Sequence, residues 1–299
     1  MRSDRIEPFG EVKMPPVDCD EANLGDRVDA KPRPLISIVT INFNNGAGLA
    51  RTLSSVSDQK FANLEHIVID GASTDGSLDC IRRFENGLTH WVSERDTGIY
   101  NAMNKGIAMA SGKYLVFMNS GDHFLNSSSL ALAAAQLADF DLHYFSLDIR
   151  TPRINDVDVV STYTCPERLS FSFLGQSSLP HPATFIKAEL FNRFGKYDES
   201  LRICSDWKAF LLWVCKYNCT YKAEKLVLSV FYADGVSSSK SAAALILQER
   251  RKVISDEFPA FVDDLQVMAS AITDLPTLKL LRSSRWIKLL QRLGLLWRF

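Results

Sequence analysis

The chain lacks any apolar run of about twenty residues, the length a membrane-spanning helix needs. Its longest, Ala209 to Cys215, falls far short. It also lacks an excess of one charge: 34 basic residues stand against 35 acidic ones in 299 residues. Phosphate backbones demand a clear basic excess, so no nucleic-acid partner is expected. The six cysteines (Cys19, Cys80, Cys165, Cys204, Cys215 and Cys219) are scattered. Cys215 and Cys219 have no second Cys/His pair at zinc-finger spacing, which reads as reduced, mostly buried thiols of a cytosolic protein. Met1 to Ala30 has no apolar h-region, so no signal peptide is expected. No Gly-x-Gly-x-x-Gly follows the first predicted strand and no Walker Gly-Lys-Ser/Thr occurs, which argues against dinucleotide cofactors and P-loop nucleotide hydrolysis. A protein that is cytoplasmic, either soluble or peripheral on the inner membrane surface, is the expectation. With 46% hydrophobic residues it can bury the core of one large domain or one and a half.

What is present begins after a polar, proline-bearing stretch over residues 1–34, read as a flexible leader. Leu35-Ile-Ser-Ile-Val-Thr-Ile-Asn42 is a β-rich run of the kind covered on both faces. A helix over Leu49 to Ser57, a strand over Leu64 to Asp70 and a helix over Asp75 to Phe84 follow, the last N-capped by Ser73 or Asp75. Thr89 to Ser93 reads as a weaker strand, Ile99 to Ala110 as a helix and Lys113 to Asn119 as a strand. This alternation predicts βαβ units and a mostly parallel sheet. Past about residue 140 it loosens, with strands of a mixed sheet over Leu142 to Ile149, Ala183 to Lys187 and Leu226 to Tyr232. Helices are predicted from Ala242 onward, and residues 241–299 read as a helical tail. Over 278–299 that tail is basic without a single acid, and Trp286, Leu289, Leu290, Leu293, Leu296 and Trp297 share one helical face. An interfacial helix on anionic lipid fits this pattern; a terminal helix packed on the domain is the plainer alternative.

In an open parallel sheet, ligands bind beyond the carboxyl ends of the strands. Here those ends read Thr40-Ile-Asn42-Phe-Asn-Asn, Asp70-Gly-Ala-Ser-Thr-Asp-Gly, Glu94-Arg-Asp96-Thr-Gly and Asn119-Ser-Gly-Asp122. Each is ordinary turn or capping chemistry when taken singly. Together they bring carboxylates, amides and hydroxyls to one edge, where Asp122 could ligate a hard divalent cation shared with a diphosphate. Asp206 opens an apolar helical run; a plain helix-start aspartate and a catalytic carboxylate are both open readings. His181, between Pro180 and Pro182, and Lys105 allow a structural or solvated role as readily as contact with acceptor or phosphate.

The stretch Ile36 to Asp122 resembles glycosyltransferase family 2, of the bacterial kind that builds surface polysaccharides. The resemblance rests on Ser37-Ile-Val-Thr-Ile-Asn-Phe-Asn-Asn, Val68-Ile-Asp-Gly-Ala-Ser-Thr-Asp-Gly-Ser, Ser93-Glu-Arg-Asp-Thr-Gly-Ile-Tyr-Asn-Ala-Met-Asn-Lys-Gly and Ala110-Ser-Gly-Lys-Tyr-Leu-Val-Phe-Met-Asn-Ser-Gly-Asp. His181-Pro-Ala-Thr-Phe-Ile-Lys, Phe194-Gly-Lys-Tyr-Asp-Glu and Ser205-Asp-Trp extend it to about residue 235. It implies a GT-A fold: a Rossmann-like α/β domain over 35–240, with a mostly parallel mixed sheet flanked by helices. Residues 35–125 would bind the nucleotide sugar and 126–240 the acceptor. It implies an inverting transfer from a nucleotide diphosphate sugar, expected to be a UDP-sugar, to a lipid-linked or growing glycan in exopolysaccharide, capsule or lipopolysaccharide synthesis. In that frame Asp70 reads the base, Thr40 and Asn42 line its pocket, and Asp96 helps hold nucleoside and sugar. Asp122 ends the metal-binding motif for Mn²⁺ or Mg²⁺, with Asn119 and Gly121 where further acids often stand. Asp206 is the catalytic base, preceded by Ser205 rather than the commoner Glu, and His181 contacts acceptor or phosphate. A sugar nucleotidyltransferase is disfavoured because Asn42 to Gly48 lacks cationic residues. A catalytically inactive relative that binds nucleotide sugar or serves as a scaffold is the remaining alternative.

Overall fold

The computed structural model describes residues 33–151, 159–233, 235 and 240–262. The leader read over 1–34, save its last two positions, and the amphipathic helix read over 278–299 lie outside the described residues. The first strand, β1 (Ile36–Asn42), is buried along nearly its whole length. It runs parallel to β2 (Leu64–Asp70) on one side and to β4 (Tyr114–Phe117) on the other; β3 (His90–Ser93) lies parallel outside β2. Helices α1 (Gly46–Ser57), α2 (Ser77–Phe84) and α3 (Ile99–Met109) make the crossovers.

Beyond β4 the sheet becomes mixed, in the order β3-β2-β1-β4-β8-β6-β9-β5. There β8 (Thr184–Lys187) runs antiparallel to both β4 and β6 (Leu142–Thr151), while β9 (Tyr221–Tyr232) runs parallel to β6. Two strands have no counterpart in the sequence reading. β5 (His123–Phe124) is too short to show a period, and β7 (Val159–Tyr163), paired with β6, is mostly exposed. The short helices α4 (Ser129–Ala134), α5 (Phe171–Gln176) and α6 (Glu189–Phe194) pack on this half, followed by α7 (Ser205–Cys215) and α8 (Lys240–Glu257).

Alternation along β1 and β4 divides the core between two faces, as the period-two geometry of strands requires. Val39, Leu115 and Phe117 join Tyr100, Trp207, Phe210 and Trp213 on one face. Ile36, Ile38, Tyr114 and Val116 join Phe145, Phe185 and Leu228 on the other. Because β2 and β3 lie to one side of β1 and β4 to the other, the chain reverses direction of winding there. That switch point leaves a crevice at the carboxyl ends.

Helix starts differ from the expectation by a few residues, for a local reason. α1 begins three residues before Leu49 because the Asn45 side chain accepts the Gly48 N–H at 3.1 Å, a cap hidden by the two glycines. α2 is entered through Gly76 at φ +89°, and neither Ser73 nor Asp75 is its N-cap residue. Asp75 instead accepts from Ser77 N at 3.1 Å and from Gly46 N at 2.8 Å, so one carboxylate ties two helix starts together.

At Gly106, α3 lies tight against the sheet: an added Cβ would lie 2.4 Å from Val39 Cγ1. Val39 is fully buried and β-branched, so it has no free rotamer into which to retreat. Gly106→Ala gains about 1 kcal/mol in helix propensity, but overpacking costs about 1–3 kcal/mol. A net loss on the order of 1 kcal/mol is expected in denaturant unfolding; a raised midpoint would show that the contact has slack.

Candidate active site at the carboxyl edge of the sheet

At the end of β2, Asp70 is fully buried. Its Oδ1 accepts from Asn42 Nδ2 at 2.7 Å and Ser73 Oγ at 2.6 Å, and its Oδ2 from Ser73 N at 3.0 Å and Ser93 Oγ at 2.6 Å. Burial alone would raise its pKa, but the bonds from Ser73, Ser93 and Asn42 outweigh it and hold the carboxyl below its ordinary value. Asp70 therefore stays ionised and welds the ends of β1, β2 and β3. The turn beyond it carries Ala72 at φ +59° and faces Asn44 at φ +49°, two left-handed non-glycine residues at adjacent strand ends. Asn42 Oδ1 is buried without a hydrogen-bond partner. Thr40 stands apart from this group, its hydroxyl 3.0 Å from His66 Nε2. Burial takes His66 down to about 3, so that pair is a neutral contact between β1 and β2.

Asp96 comes over the same edge. A Cβ on Gly71 would sit 2.9 Å from Asp96 Oδ2 and 3.1 Å from Phe43 Cδ2, so any larger residue there would displace these two side chains. Phe43 is 68% exposed, an aromatic ring presented to solvent beside two carboxylate-bearing strand ends. Lys105 Nζ pairs with Asp96 at 2.7 Å and Glu94 at 2.8 Å. Partial burial works against its charge, yet the bonds to Asp96 and Glu94 lift the ammonium above its usual range. Lys105 thus organises the Glu94–Asp96 turn.

The β4 turn, Asn119 to Asp122, is pinned from α1. Thr52 Oγ1 donates to Asp122 O at 2.7 Å and accepts from Gly121 N at 3.0 Å. Asn45 Nδ2 reaches Ser120 O at 3.0 Å. Asp122 is 94% buried by its 6% exposure, and Asn119 Oδ1 is a second buried amide oxygen with no partner. Among the described residues no group of three or more His, Cys, Asp or Glu gathers into a metal cage. One carboxylate and an orphan amide oxygen in a single turn nevertheless fit Mg²⁺ or Mn²⁺, hard cations that take much of their shell from phosphate oxygens and water.

Asp206 enters this edge from the first turn of α7, with its side chain 24% exposed. Its Oδ1 accepts from the Tyr100 hydroxyl at 2.7 Å, and its Oδ2 lies 4.0 Å from His181 Nδ1. Burial, and then the Asp206 charge, push the Tyr100 phenol far above its ordinary range, so it remains a donor. His181 is stacked on Phe117 at 4.5 Å between ring centroids, and its Nε2 meets the Tyr197 hydroxyl at 2.8 Å. Burial drives the imidazole below its ordinary value despite the attraction of Asp206, so the ring is neutral at pH 7. The expected acceptor contact at His181 is thereby set back from the surface, behind Asp206.

Sequence reasoning did not single out Phe43, Tyr100 or Tyr197. A ring inside the polar run Asn42-Phe-Asn-Asn was a usable signal for Phe43; the tyrosines gave none, because their partners lie far along the chain. A cavity of about 560 Å³ lies elsewhere, lined by Phe61, Leu64, Arg83 and Leu88 near the opposite strand ends.

The Glycosyl transferase family 2 model matches residues 37–185. An uncharacterized glycosyltransferase of Mycobacterium tuberculosis is 35% identical over 223 residues, covering 73% of this chain and 82% of the relative. A PGL/p-HBAD biosynthesis glycosyltransferase of Mycobacterium bovis is 30% identical over 185 residues, with 58% and 67% covered. In fold, the chain resembles S. aureus TarS in complex with UDP-GlcNAc, with TM-score 0.56, 18% identity and 74% and 66% covered. It also resembles a mannosyltransferase from Pyrobaculum calidifontis in complex with GDP-Man and Mn²⁺, with TM-score 0.57, 17% identity and 80% and 70% covered. These likenesses match the GT-A architecture expected for the sheet and its flanking helices.

Proposed function

Because the chain belongs to glycosyl transferase family 2, we propose that it moves a sugar from a UDP-sugar onto a hydroxyl of a lipid-linked or growing glycan acceptor. The observation that carries this reading is the convergence of Asp70, Asp96, Asp122 and Asp206 at one sheet edge, two of them beside orphaned amide oxygens. The M. bovis relative, a PGL/p-HBAD biosynthesis glycosyltransferase by name, supports a role in glycoconjugate synthesis.

In this reading the base stacks on Phe43, beside the network that Asp70 makes with Asn42, Ser73 and Ser93. Asp70 acts chiefly by holding Asn42, Ser73 and Ser93 in place. Asp96 and its Lys105 partner flank the ribose and sugar. Asp122 and Asn119 are the residues that would hold a divalent cation, which supplies charge compensation for the departing diphosphate. Asp206 takes the proton of the acceptor hydroxyl as that oxygen attacks the anomeric carbon. The bond from that carbon to the diphosphate oxygen breaks through an oxocarbenium-like state, and UDP leaves with the bonding pair. Attack opposite the leaving group inverts the centre. Tyr100 holds one oxygen of Asp206, leaving the other to face the proton.

A nucleotide panel read by thermal shift tests the donor site. UDP at about 100 times its Kd adds roughly 2.7 kcal/mol to stability, and we expect UDP to exceed GDP, CDP and ADP. Folded protein that shifts with no nucleoside diphosphate would overturn the catalytic reading and favour the scaffold alternative.

A further inference from the structure

The helix that follows the sheet reaches back to the base. Glu249, in α8, is only 7% exposed. Its Oε1 accepts from Arg202 N at 2.7 Å, and its Oε2 from Ile203 N at 3.1 Å and Cys204 N at 3.0 Å. These residues form the strap immediately before α7, and Cys204, its N-cap position, offers no side-chain cap of its own. The same strap sets the Ile203 carbonyl oxygen against the Tyr100 hydroxyl, whose single proton is shared between that oxygen and Asp206 Oδ1. One residue further along α8, the Arg250 guanidinium lies 4.9 Å over the Trp207 ring and donates to Gln176 O at 2.9 Å. Asp206 is therefore bracketed: Glu249 holds the chain before it and Arg250 lies on the residue after it.

Burying a carboxyl group this deeply is costly unless its oxygens are bonded, and here three backbone N–H groups bond them. A helix that had only to cover α7 would do so with an apolar side chain. The acid makes sense where the strap must be held in one geometry, since a displacement near 1 Å at a reacting group costs about 10²-fold in rate. We propose that Glu249 is a positioning residue for the transfer: it fixes the 202–204 strap and, through it, the place of Asp206 and Tyr100. This rests on the reading of Asp206 as the base.

The test uses the full chain and UDP release from whichever of UDP-glucose, UDP-galactose and UDP-N-acetylglucosamine is turned over fastest. Glu249→Gln keeps the shape but offers one carbonyl oxygen where two carboxylate oxygens stood. It is expected to lower kcat about 10- to 100-fold, with KM for the donor and Kd for UDP within about twofold of wild type. Amide exchange over the 202–204 strap should rise. Glu249→Asp, which keeps the charge but shortens the reach, should fall between, and it carries the test if the Gln variant does not fold. Asp206→Asn is measured alongside. An inactive Asp206→Asn with an unimpaired Glu249→Gln overturns the positioning role alone. UDP affinity falling in step with kcat in Glu249→Gln would also overturn it, as the mark of a general structural role. Wild-type turnover in Asp206→Asn would remove the premise instead.

Discussion

Asp206→Asn is expected to lower kcat by about 10³-fold, the middle of the range for loss of a general base, while UDP affinity stays unchanged. The substitution is isosteric, and the amide oxygen can still accept from the Tyr100 hydroxyl, so the α7 start keeps its geometry. What disappears is the ability to take a proton as the acceptor oxygen attacks. A thousandfold is about 4 kcal/mol of transition-state stabilisation, far more than loss of one neutral hydrogen bond would explain. Steady-state UDP release with calorimetric UDP binding on the same preparation checks it. A variant within tenfold of wild type would place the base elsewhere, and the neutral His181 imidazole, 4.0 Å away, would be the next group to replace.

The second large effect is at the β4 turn. Asp122→Ala should abolish the Mn²⁺-dependent part of the UDP thermal shift and lower turnover by on the order of 10²-fold or more, since offsetting charge on a leaving diphosphate is worth several kcal/mol. The turn should survive, because its hold on α1 runs through backbone atoms: Thr52 Oγ1 bonds the Asp122 carbonyl and the Gly121 N–H. Titration of Mn²⁺ against a fixed UDP concentration, wild type beside variant, gives the comparison. Equal Mn²⁺ enhancement in both proteins would show that the cation, if used, is held without Asp122.

The parallel half of the fold was legible because each signal there is local. A strand buried on both faces must be a continuous apolar run, as β1 and β2 are. An amphipathic helix must repeat every 3.6 residues. The polar ends of β1, β2 and β4 stood out against those runs, so Asn42, Asp70, Asn119 and Asp122 could be named as a group. The mixed half was harder. β5 has two residues and β7 is an exposed hairpin arm, and neither length nor burial leaves a pattern to read.

The sequence by itself determined which side chains reach the sheet edge, because strand and turn chemistry operates over a few residues. It did not determine what those side chains do there. Asp70 takes bonds from Asn42, twenty-eight positions away, and Ser93, twenty-three away, and Asp206 is held by Tyr100, separated by 106 positions. Glu249 grips the strap before α7 across 45 to 47 positions. Only closure of the sheet and docking of α7 and α8 upon it bring such partners to hydrogen-bond distance. The ionisation, orientation and burial of the site residues follow from that packing, since each depends on neighbours that no local period encodes.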